Sequence, residues 1–363
     1  MMGECKPRAR TTLITRSADR KTTIATSKDV WALVFLEDGR HLLSGGREEV
    51  IRQWRVEDGR EVEDRRLTAS GHHQVSAMAL SGDGKWLVSG GWQAVAVWDR
   101  RTRQSVFTAK EHSDWVNEVH VSSDSTKFAT AAYDWTAIIW NTSNGRPLIP
   151  PLQHRGAVVG VRFSPDGNRL ATSVQDGELR VYNAHDGQLL RNIAISLFST
   201  IPTTWSSDSQ HIFALSQRNV LKYIYVDKPS FLSEWTVSGQ PQPNDMGSIV
   251  LSSNGKFIAC FVGSFLSFWD VSTRAQLGPV FDHTQTPRLY SIALSPDNSF
   301  VATGGYGGVI TIRNLNGIIP VSHRDRDAVQ LPQSGNGGDL QPQIDALRGI
   351  LRALELRSGA CPW

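Results

Sequence analysis

Two sets of side chains in this sequence have the residue types of a hydrolase triad. In a triad an acidic residue orients a histidine, and the histidine takes the proton from a hydroxyl whose oxygen then attacks the substrate. Two sets share these types and lie 42 residues apart: His112, Thr130 and Asp134, and His154, Thr172 and Asp176. The residue types alone therefore raise nucleophilic catalysis as a hypothesis.

The remaining chemical signals fit neither a cofactor site nor a metal site. The glycine run 304–308 precedes the predicted strand 309–313 and not a helix N-terminus, which a phosphate-binding loop requires. Turns such as Asp38-Gly39 and Asp166-Gly167 lack the alternating carboxylates of a calcium loop. The three cysteines have no metal-ligand spacing. We therefore expect no cofactor, no metal and no catalytic residue.

The first set of side chains belongs to a stretch that reads as three short strands. Residues 115–121, 128–132 and 137–140 are rich in apolar and β-branched residues, and polar turn residues separate them. The last residue of the third strand recurs along the chain at intervals of 42 to 45 residues, at Trp54, Trp98, Trp140, Tyr182, Ile224, Trp269 and Arg313. A period of about 40–45 residues is typical of a β-propeller.

The repeated unit resembles the WD-repeat β-propeller family. The dipeptides Trp98-Asp99, Trp140-Asn141 and Trp269-Asp270 end third strands, as in that family. His112, His154 and His283 match its Gly-His position, as does Gly71-His72, and the turns 163–167 and 294–298 match its first hairpin. The resemblance covers residues 21–320. It implies an all-β fold, a seven-bladed β-propeller of four-stranded antiparallel blades.

This resemblance gives the two triad-like sets a structural role. In the family the histidine, a hydroxyl on strand two, the hairpin aspartate and the strand-three tryptophan form one hydrogen-bonded set. Two blades match that pattern, one with His112, Thr130, Asp134 and Trp140, and the other with His154, Thr172, Asp176 and Tyr182. We therefore predict that these side chains stabilise the blades and that the protein is not an enzyme.

The sequence also predicts how the ring closes, which blades are irregular and what lies at the two termini. The resemblance implies that a terminal strand closes the ring, and residues 21–26 are favoured over the alternative 318–322. Blades five and six depart from the repeat, since Ile224 replaces a tryptophan and Gly263 replaces the hairpin aspartate. We predict a disordered basic arm at 1–20, a flexible linker at 321–342, and a short amphipathic C-terminal helix or tail at 343–358.

The same register predicts where a partner would bind. The family's usual contact surface carries the loops leading into strand one and the hairpins between strands two and three. The aromatic residues at these positions concentrate on blades seven, one, two and three, where the predicted binding residues are Asp29, Trp31, Arg47, Trp92, Trp115, Asn117, Tyr133, Arg288, Tyr290 and Tyr306. Trp135 is a further candidate. Exposed tryptophan, tyrosine and arginine dominate the energetics of protein interfaces.

Composition and charge narrow the functional class. The chain has 363 residues and a net charge of +3, without a run of apolar residues long enough to cross a membrane. It also lacks an apolar signal segment, and we expect a cytoplasmic protein, with the nucleus as a second compartment. The expected function is a scaffold that binds a protein or a peptide. The alternative is a nucleic-acid-associated factor that uses its basic arm, although no aromatic residues alternate with those charges.

Overall fold

The computed structural model describes eight stretches of the chain. Its described residues are 21–68, 74–175, 177–195, 203–216, 220–228, 232–237, 247–283 and 288–324, together with the backbone of Thr15–Arg16. Most of the predicted arm 1–20, most of the predicted linker 321–342 and all of the predicted helix 343–358 lie outside these residues, so those predictions stay predictions.

The described residues form seven antiparallel sheets, which we number as blades one to seven in chain order. Each blade has four strands, numbered one to four with strand one innermost, and blade seven carries a fifth, Thr15–Arg16, at its outer edge. The strands of blades one to three are Val30–Phe35, His41–Gly46, Val50–Arg55 and Leu67–Thr68; Ala77–Leu80, Trp86–Gly90, Val95–Asp99 and Gln104–Ala109; and Val116–Val121, Lys127–Ala132, Thr136–Asn141 and Leu152–Gln153.

Blades four to seven continue the same order. Their strands are Val158–Phe163, Arg169–Val174, Glu178–Asn183 and Leu189–Ala194; Thr204–Trp205, His211–Leu215, Val220–Tyr225 and Leu232–Thr236; Gly247–Leu251, Phe257–Val262, Phe265–Asp270 and Phe281–Asp282; and Leu289–Leu294, Phe300–Gly305 and Val309–Asn314, which Lys21–Ala25 completes. Short 3₁₀ turns lie at Glu63–Arg65 and Tyr306–Gly308, and one α-helical turn lies at Val321–Arg324.

The seven blades close into a propeller ring. The innermost strands contact one another in cyclic order, and that of blade seven packs on that of blade one. Strand Lys21–Ala25 pairs with Val309–Asn314, with Lys21 opposite Arg313 and Ala25 opposite Val309. The ring therefore closes through the N-terminal strand, the favoured one of the two predicted alternatives. Closure pairs the edge of strand three in blade seven, which no later strand of the described residues covers.

The repeat period places equivalent residues at equivalent positions in each sheet. Trp140 lies opposite Phe128 in blade three, and Trp54, Tyr182 and Arg313 take the matching position against strand two of their own blades. In the core each blade packs on the next. The Trp140 ring, for example, stacks on Phe128 with centroids 5.6 Å apart, and Phe107 of blade two stacks on Phe128 at 6.4 Å. A blade therefore buries its apolar faces only between two neighbours.

Three outer strands begin later than the sequence suggested. The repeat register predicts blades one, three and six at residues 30–62, 115–148 and about 246–280, but their fourth strands lie at Leu67–Thr68, Leu152–Gln153 and Phe281–Asp282. In each blade a single bridge pairs the strand-three tryptophan before the chain leaves the sheet, as at Trp140 and Pro147. Proline cannot donate a backbone hydrogen bond, and a 3₁₀ turn interrupts blade one, so the pairing breaks and resumes further along.

Both ends of the ring carry structure that the sequence did not predict. The backbone of Thr15–Arg16 adds a fifth strand outside Lys21–Ala25, within the predicted disordered arm. The predicted linker starts at residue 321, but Val321–Arg324 is a helical turn. Two asparagine side chains hold that turn, because Asn254 donates to the His323 carbonyl at 2.7 Å and Asn298 to that of Arg324 at 3.1 Å.

Candidate functional site

The triad-like residues of blade three and Trp140 form a continuous chain of hydrogen bonds. The Trp140 indole N–H donates to the Thr130 hydroxyl oxygen at 2.9 Å, and the His112 Nε2 lies 2.6 Å from the same oxygen. The His112 Nδ1 lies 2.8 Å from a carboxylate oxygen of Asp134. A carboxylate only accepts, so Nδ1 donates to Asp134 and Nε2 accepts the hydroxyl proton of Thr130.

The electrostatics of this chain favour an ionised aspartate. Burial opposes ionisation, but hydrogen bonds from His112 and Thr136 outweigh it and hold the pKa of Asp134 at about 2. The Thr130 hydroxyl has the orientation of a triad nucleophile, yet Thr130 is 0% exposed and its oxygen already accepts from Trp140. No substrate carbonyl can reach that oxygen, so this set ties strand two, strand three and the preceding loop together.

Blade four arranges its set differently. The His154 Nδ1 lies 3.0 Å from the Leu152 carbonyl, to which it must donate, which leaves Nε2 as an acceptor. Nε2 lies 3.0 Å from the Thr172 hydroxyl and 3.1 Å from the Tyr182 hydroxyl. Asp176 lies outside the described residues. The tyrosine that replaces tryptophan thus bonds to the histidine directly.

Other blades keep only part of this arrangement. Trp54 donates to Ser44 at 2.8 Å and Trp98 to Ser89 at 2.9 Å, so strands two and three are linked without a described histidine. In blade seven Arg313 replaces the tryptophan and lies 3.8 Å from the centroid of the Phe281 ring. Burial and the nearby charge of Arg313 lower the pKa of His283 in that blade to about 4.

A central cavity of about 750 Å³ opens within the ring. Six of the ten predicted binding residues line it: Asp29, Trp31, Trp115, Asn117, Tyr133 and Tyr290. The other four, Arg47, Trp92, Arg288 and Tyr306, are exposed on the neighbouring loops. We call the end of the ring that carries these residues the loop face.

Aromatic rings cluster at the mouth of this cavity. The Trp115 ring meets Trp31 of blade one edge to face at 5.9 Å and Trp92 of blade two at 5.3 Å. Trp92 and Trp115 are also joined by a backbone bridge between the two blades. Trp92 remains 44% exposed and Tyr306 53% exposed. We call the set Trp31, Trp92, Trp115, Tyr133, Tyr290 and Tyr306 the aromatic arc.

Backbone contacts between loops fix the blade-seven end of the arc. Tyr306 N–H donates to the Arg288 carbonyl at 2.9 Å, and Gly307 N–H donates to the Asp29 carboxylate at 2.8 Å. A Cβ on Gly305 would lie 2.2 Å from the Arg288 carbonyl, so only glycine permits this approach. Likewise, Arg47 N–H donates to the Asp29 carbonyl at 3.0 Å. The arc is therefore built on backbone pairing and not on free loops.

One predicted binding residue already has another role. The Asn117 side-chain amide donates to the Val158 carbonyl of blade four at 2.8 Å, so it links two blades. Glu118 of the same strand accepts from Val161 N–H at 2.8 Å and pairs with Arg162 at 2.6 Å. Burial raises the pKa of Glu118 despite the nearby arginine. Sequence reasoning missed Glu118 and Arg162, because their partners lie about 43 residues away in the next blade.

The described residues contain neither a metal site nor a membrane-spanning helix. Among them, no three histidine, cysteine, aspartate or glutamate side chains are grouped so that they could hold a metal ion. Within the same residues, none of the helices has the length and apolar character needed to cross a membrane. Cys260 lies in a core strand, and burial raises the pKa of its thiol to about 11, which makes the thiol unreactive.

Comparisons with known proteins agree with this geometry. A profile described as "WD domain, G-beta repeat" matches residues 19–55, 64–99, 103–141 and 276–314. A second profile, of the WD40 domain of anaphase-promoting complex subunit 4, matches residues 134–208. The two together match more than half of the chain. The first begins with the closing strand and ends with the strand to which it pairs.

Curated relatives match a smaller part of the chain. Cilia- and flagella-associated protein 52 of Mus musculus is 31% identical over 112 residues, which is 30% of this chain and 17% of that protein. Its counterpart from Chlamydomonas reinhardtii is 27% identical over 123 residues, 34% of this chain and 20% of that protein. The aligned segments thus span at most a fifth of the length of either relative.

Proposed function

The chain belongs to the WD-repeat β-propeller family, and from that premise we propose that it is a non-catalytic scaffold that binds a protein or peptide on its loop face. WD40 repeats are typical of protein-interaction scaffolds. Within the loop face we assign the contact surface to blades seven, one, two and three. The residues we assign to it are Asp29, Trp31, Arg47, Trp92, Trp115, Tyr133, Arg288, Tyr290 and Tyr306.

The observation that carries this proposal is the edge-to-face contact of Trp115 with both Trp31 and Trp92 at the cavity mouth. Three indoles from three blades meet where the cavity opens to solvent. Trp92 stays 44% exposed, although burial of such a side chain would be favourable by about 1.5–3 kcal/mol. Rigid aromatic side chains of this kind supply large contact area at little entropic cost when a partner covers them.

Catalysis finds little support in the described residues. The triad-like set of blade three has a hydroxyl that is buried and already bonded to Trp140 and His112. The scaffold therefore needs no cofactor or metal. We expect it in the cytoplasm or the nucleus, and the two relatives suggest a ciliary assembly as another setting. Imaging of the tagged chain in ciliated cells would distinguish these compartments.

Partner capture tests the proposal. The full chain and the variants Trp31→Ala, Trp115→Ala and Tyr306→Ala would be used as baits in cell extract, with quantitative mass spectrometry of what they retain. Lys222→Ala, on blade five, is the control. We expect the arc variants to lose specific partners that the parent and the control retain. An identical set of partners on correctly folded arc variants would rule out this surface.

Capture also separates the scaffold from the nucleic-acid alternative. Deletion of residues 1–20 removes the predicted basic arm and leaves the aromatic arc intact. If the chain acts through nucleic acid, this deletion will abolish salt-dependent binding of labelled RNA or DNA. The scaffold proposal expects the deletion to leave partner capture unchanged.

A further inference from the structure

The aromatic arc is not uniform in charge. At its blade-two and blade-three end lies Asp114, whose carboxylate Oδ1 accepts the backbone N–H of Trp115 at 2.7 Å and whose carbonyl accepts the backbone N–H of Gln93 at 3.2 Å. Burial and the charge of Asp114 together raise the pKa of Tyr133. Asp114, Trp92, Trp115 and Tyr133 therefore share one small region.

Asp114 differs in its ion pairs from several carboxylates of blades one and three. Glu48 and Glu61 pair with Arg52, Glu118 pairs with Arg162, and Asp134 pairs with His112. Among the described residues, no lysine, arginine or histidine forms an ion pair with Asp114. The arginines of the loop face that the sequence singled out, Arg47 and Arg288, lie at the opposite end of the arc, beside Asp29 and Tyr306.

A strained tryptophan follows Tyr133 on the same hairpin. Trp135 has a φ of 69° and is 55% exposed, while glycine takes the matching position in blade four, Gly177, with a φ of 85°. A left-handed conformation is unfavourable for a bulky side chain. The Trp135 carbonyl accepts the His154 N–H at 3.0 Å, which fixes this turn. Position 135 thus carries an exposed indole, although glycine would adopt its left-handed backbone conformation with less strain.

We propose that the region formed by Trp92, Trp115, Tyr133 and Asp114 binds a lysine or arginine side chain of the partner, with Trp135 as an additional contact. An ammonium or guanidinium group is attracted to the faces of indole and phenol rings and to a carboxylate that has no cation of its own. A neutral aliphatic side chain gains only the apolar part of this interaction, and an acidic one is repelled. This inference rests on the proposed scaffold function and adds the chemistry of its ligand.

Synthetic peptide libraries test the inference directly. Four immobilised heptapeptide libraries would each fix one central residue, lysine, arginine, norleucine or glutamate, with the other positions randomised. Retention of the full chain is measured on each. We expect about tenfold more retention on the lysine and arginine libraries than on norleucine, which has the four-carbon chain of lysine without its ammonium group. Equal retention on norleucine, stronger retention on glutamate, or no retention at all would overturn the inference.

Variants test whether Asp114 and Trp92 cause the preference for the lysine library. Asp114→Asn should bring retention on the lysine library close to that on norleucine, and Trp92→Ala should lower retention on both. Two controls match them. Asp186→Asn removes another carboxylate that accepts a backbone N–H, and Leu189→Ala removes another exposed apolar side chain, both on blade four. A lysine preference that persists in Asp114→Asn would contradict the inference.

The two proposals can fail separately. If norleucine and lysine libraries are retained equally but Trp92→Ala and Trp115→Ala abolish both, the arc binds a peptide without selecting a cation. The inference would then fall while the scaffold function stands. If partner capture is insensitive to every arc variant, the scaffold surface itself is wrong.

Discussion

At the scale of single residues, the hydrogen-bonded set of blade three has the residue types of a catalytic triad but a structural role. The proton positions that its contacts require run from Trp140 through Thr130 and His112 to Asp134. Each member is satisfied by the next, and Thr130 is fully buried. Removal of one member leaves a buried polar group without its partner, which is costly in an interior of low dielectric constant.

We therefore predict that His112→Ala and Asp134→Ala each lower the free energy of unfolding by about 1–3 kcal/mol. Urea denaturation followed by circular dichroism measures this. His185→Ala, which removes an exposed histidine of blade four, serves as the control and should be close to neutral. Unfolding curves of both variants that overlay the parent would show that the set contributes no stability.

The depressed pKa of Asp134 predicts a specific pH dependence. Its pKa is about 2 in the folded protein and 3.8 in an unperturbed carboxyl group, so the folded state favours the ionised form. The resulting stability is fully present above about pH 4 and is lost as the pH falls towards 2. We expect the stability difference between the parent and Asp134→Asn to shrink by about 1–2 kcal/mol over that window. A difference that stays constant with pH would mean that folding does not lower the pKa of Asp134.

The substitution Trp135→Gly is expected to stabilise the fold, whereas His112→Ala and Asp134→Ala are expected to destabilise it. Strain in the left-handed region costs a non-glycine residue about 1–2 kcal/mol, and the greater chain entropy of glycine offsets about 0.5–1 kcal/mol of any gain. We therefore expect Trp135→Gly to raise the free energy of unfolding by about 0.5–1 kcal/mol while it weakens partner binding. If Trp135→Gly is less stable than the parent in thermal denaturation, the indole packs favourably and is not reserved for a partner.

At the scale of elements, one strand decides whether the ring closes. Every residue of Lys21–Ala25 has a partner in the strand Val309–Asn314, from Lys21 opposite Arg313 to Ala25 opposite Val309. Its Ile24 is 0% exposed and packs with Leu42 and Trp54 of blade one as well as with Ile310. The strand thus joins the last blade to the first, which explains why residues so distant in sequence depend on one another.

We expect Ile24→Ala to lower the free energy of unfolding by about 2–5 kcal/mol, because it empties space between two blades. Chemical denaturation monitored by tryptophan fluorescence is the measurement. The neighbouring exposed Ala25, changed to serine, controls for substitution in this strand. A loss below about 0.5 kcal/mol for Ile24→Ala would indicate that the strand is not integral to the ring.

Most of the fold could be predicted from the sequence, because it follows from the regular spacing of the repeated residues. The interval of 42–45 residues places Trp54, Trp140 and Arg313 in the same register, and the structure pairs them equivalently. The delayed outer strands could not be predicted in this way, since they depend on where a proline or a 3₁₀ turn interrupts pairing. The helical turn Val321–Arg324 depends on donors from Asn254 and Asn298, which lie far away in sequence.

The candidate site was predictable in part for the same reason. Register alone placed Trp31, Trp115 and Tyr133 on one face, and these residues line the cavity. Register does not report contacts between blades, so Asn117 was assigned to binding although its amide links blade three to blade four. The charge difference between the Asp114 end and the Arg288 end of the arc also required the packing of adjacent loops.

At the scale of the whole molecule, the closed ring is what brings the aromatic arc together. Blades one, two and three are consecutive in the chain, and blade seven lies beside blade one because the ring closes. Trp31 and Trp115 come from blades one and three, and their rings meet at 5.9 Å over the cavity. A surface assembled from several rigid blades presents its side chains with little loss of entropy on binding.

Hydrogen–deuterium exchange of the chain with and without a captured partner tests this account most directly. Partner binding should slow amide exchange in the loops of blades seven, one, two and three, at residues 27–31, 91–93, 113–117, 133–135 and 288–290. It should leave blade five, around residues 220–225, unchanged. Slowed exchange confined to blade five or to the opposite face, with no change at Trp92, Trp115 and Tyr133, would contradict the account.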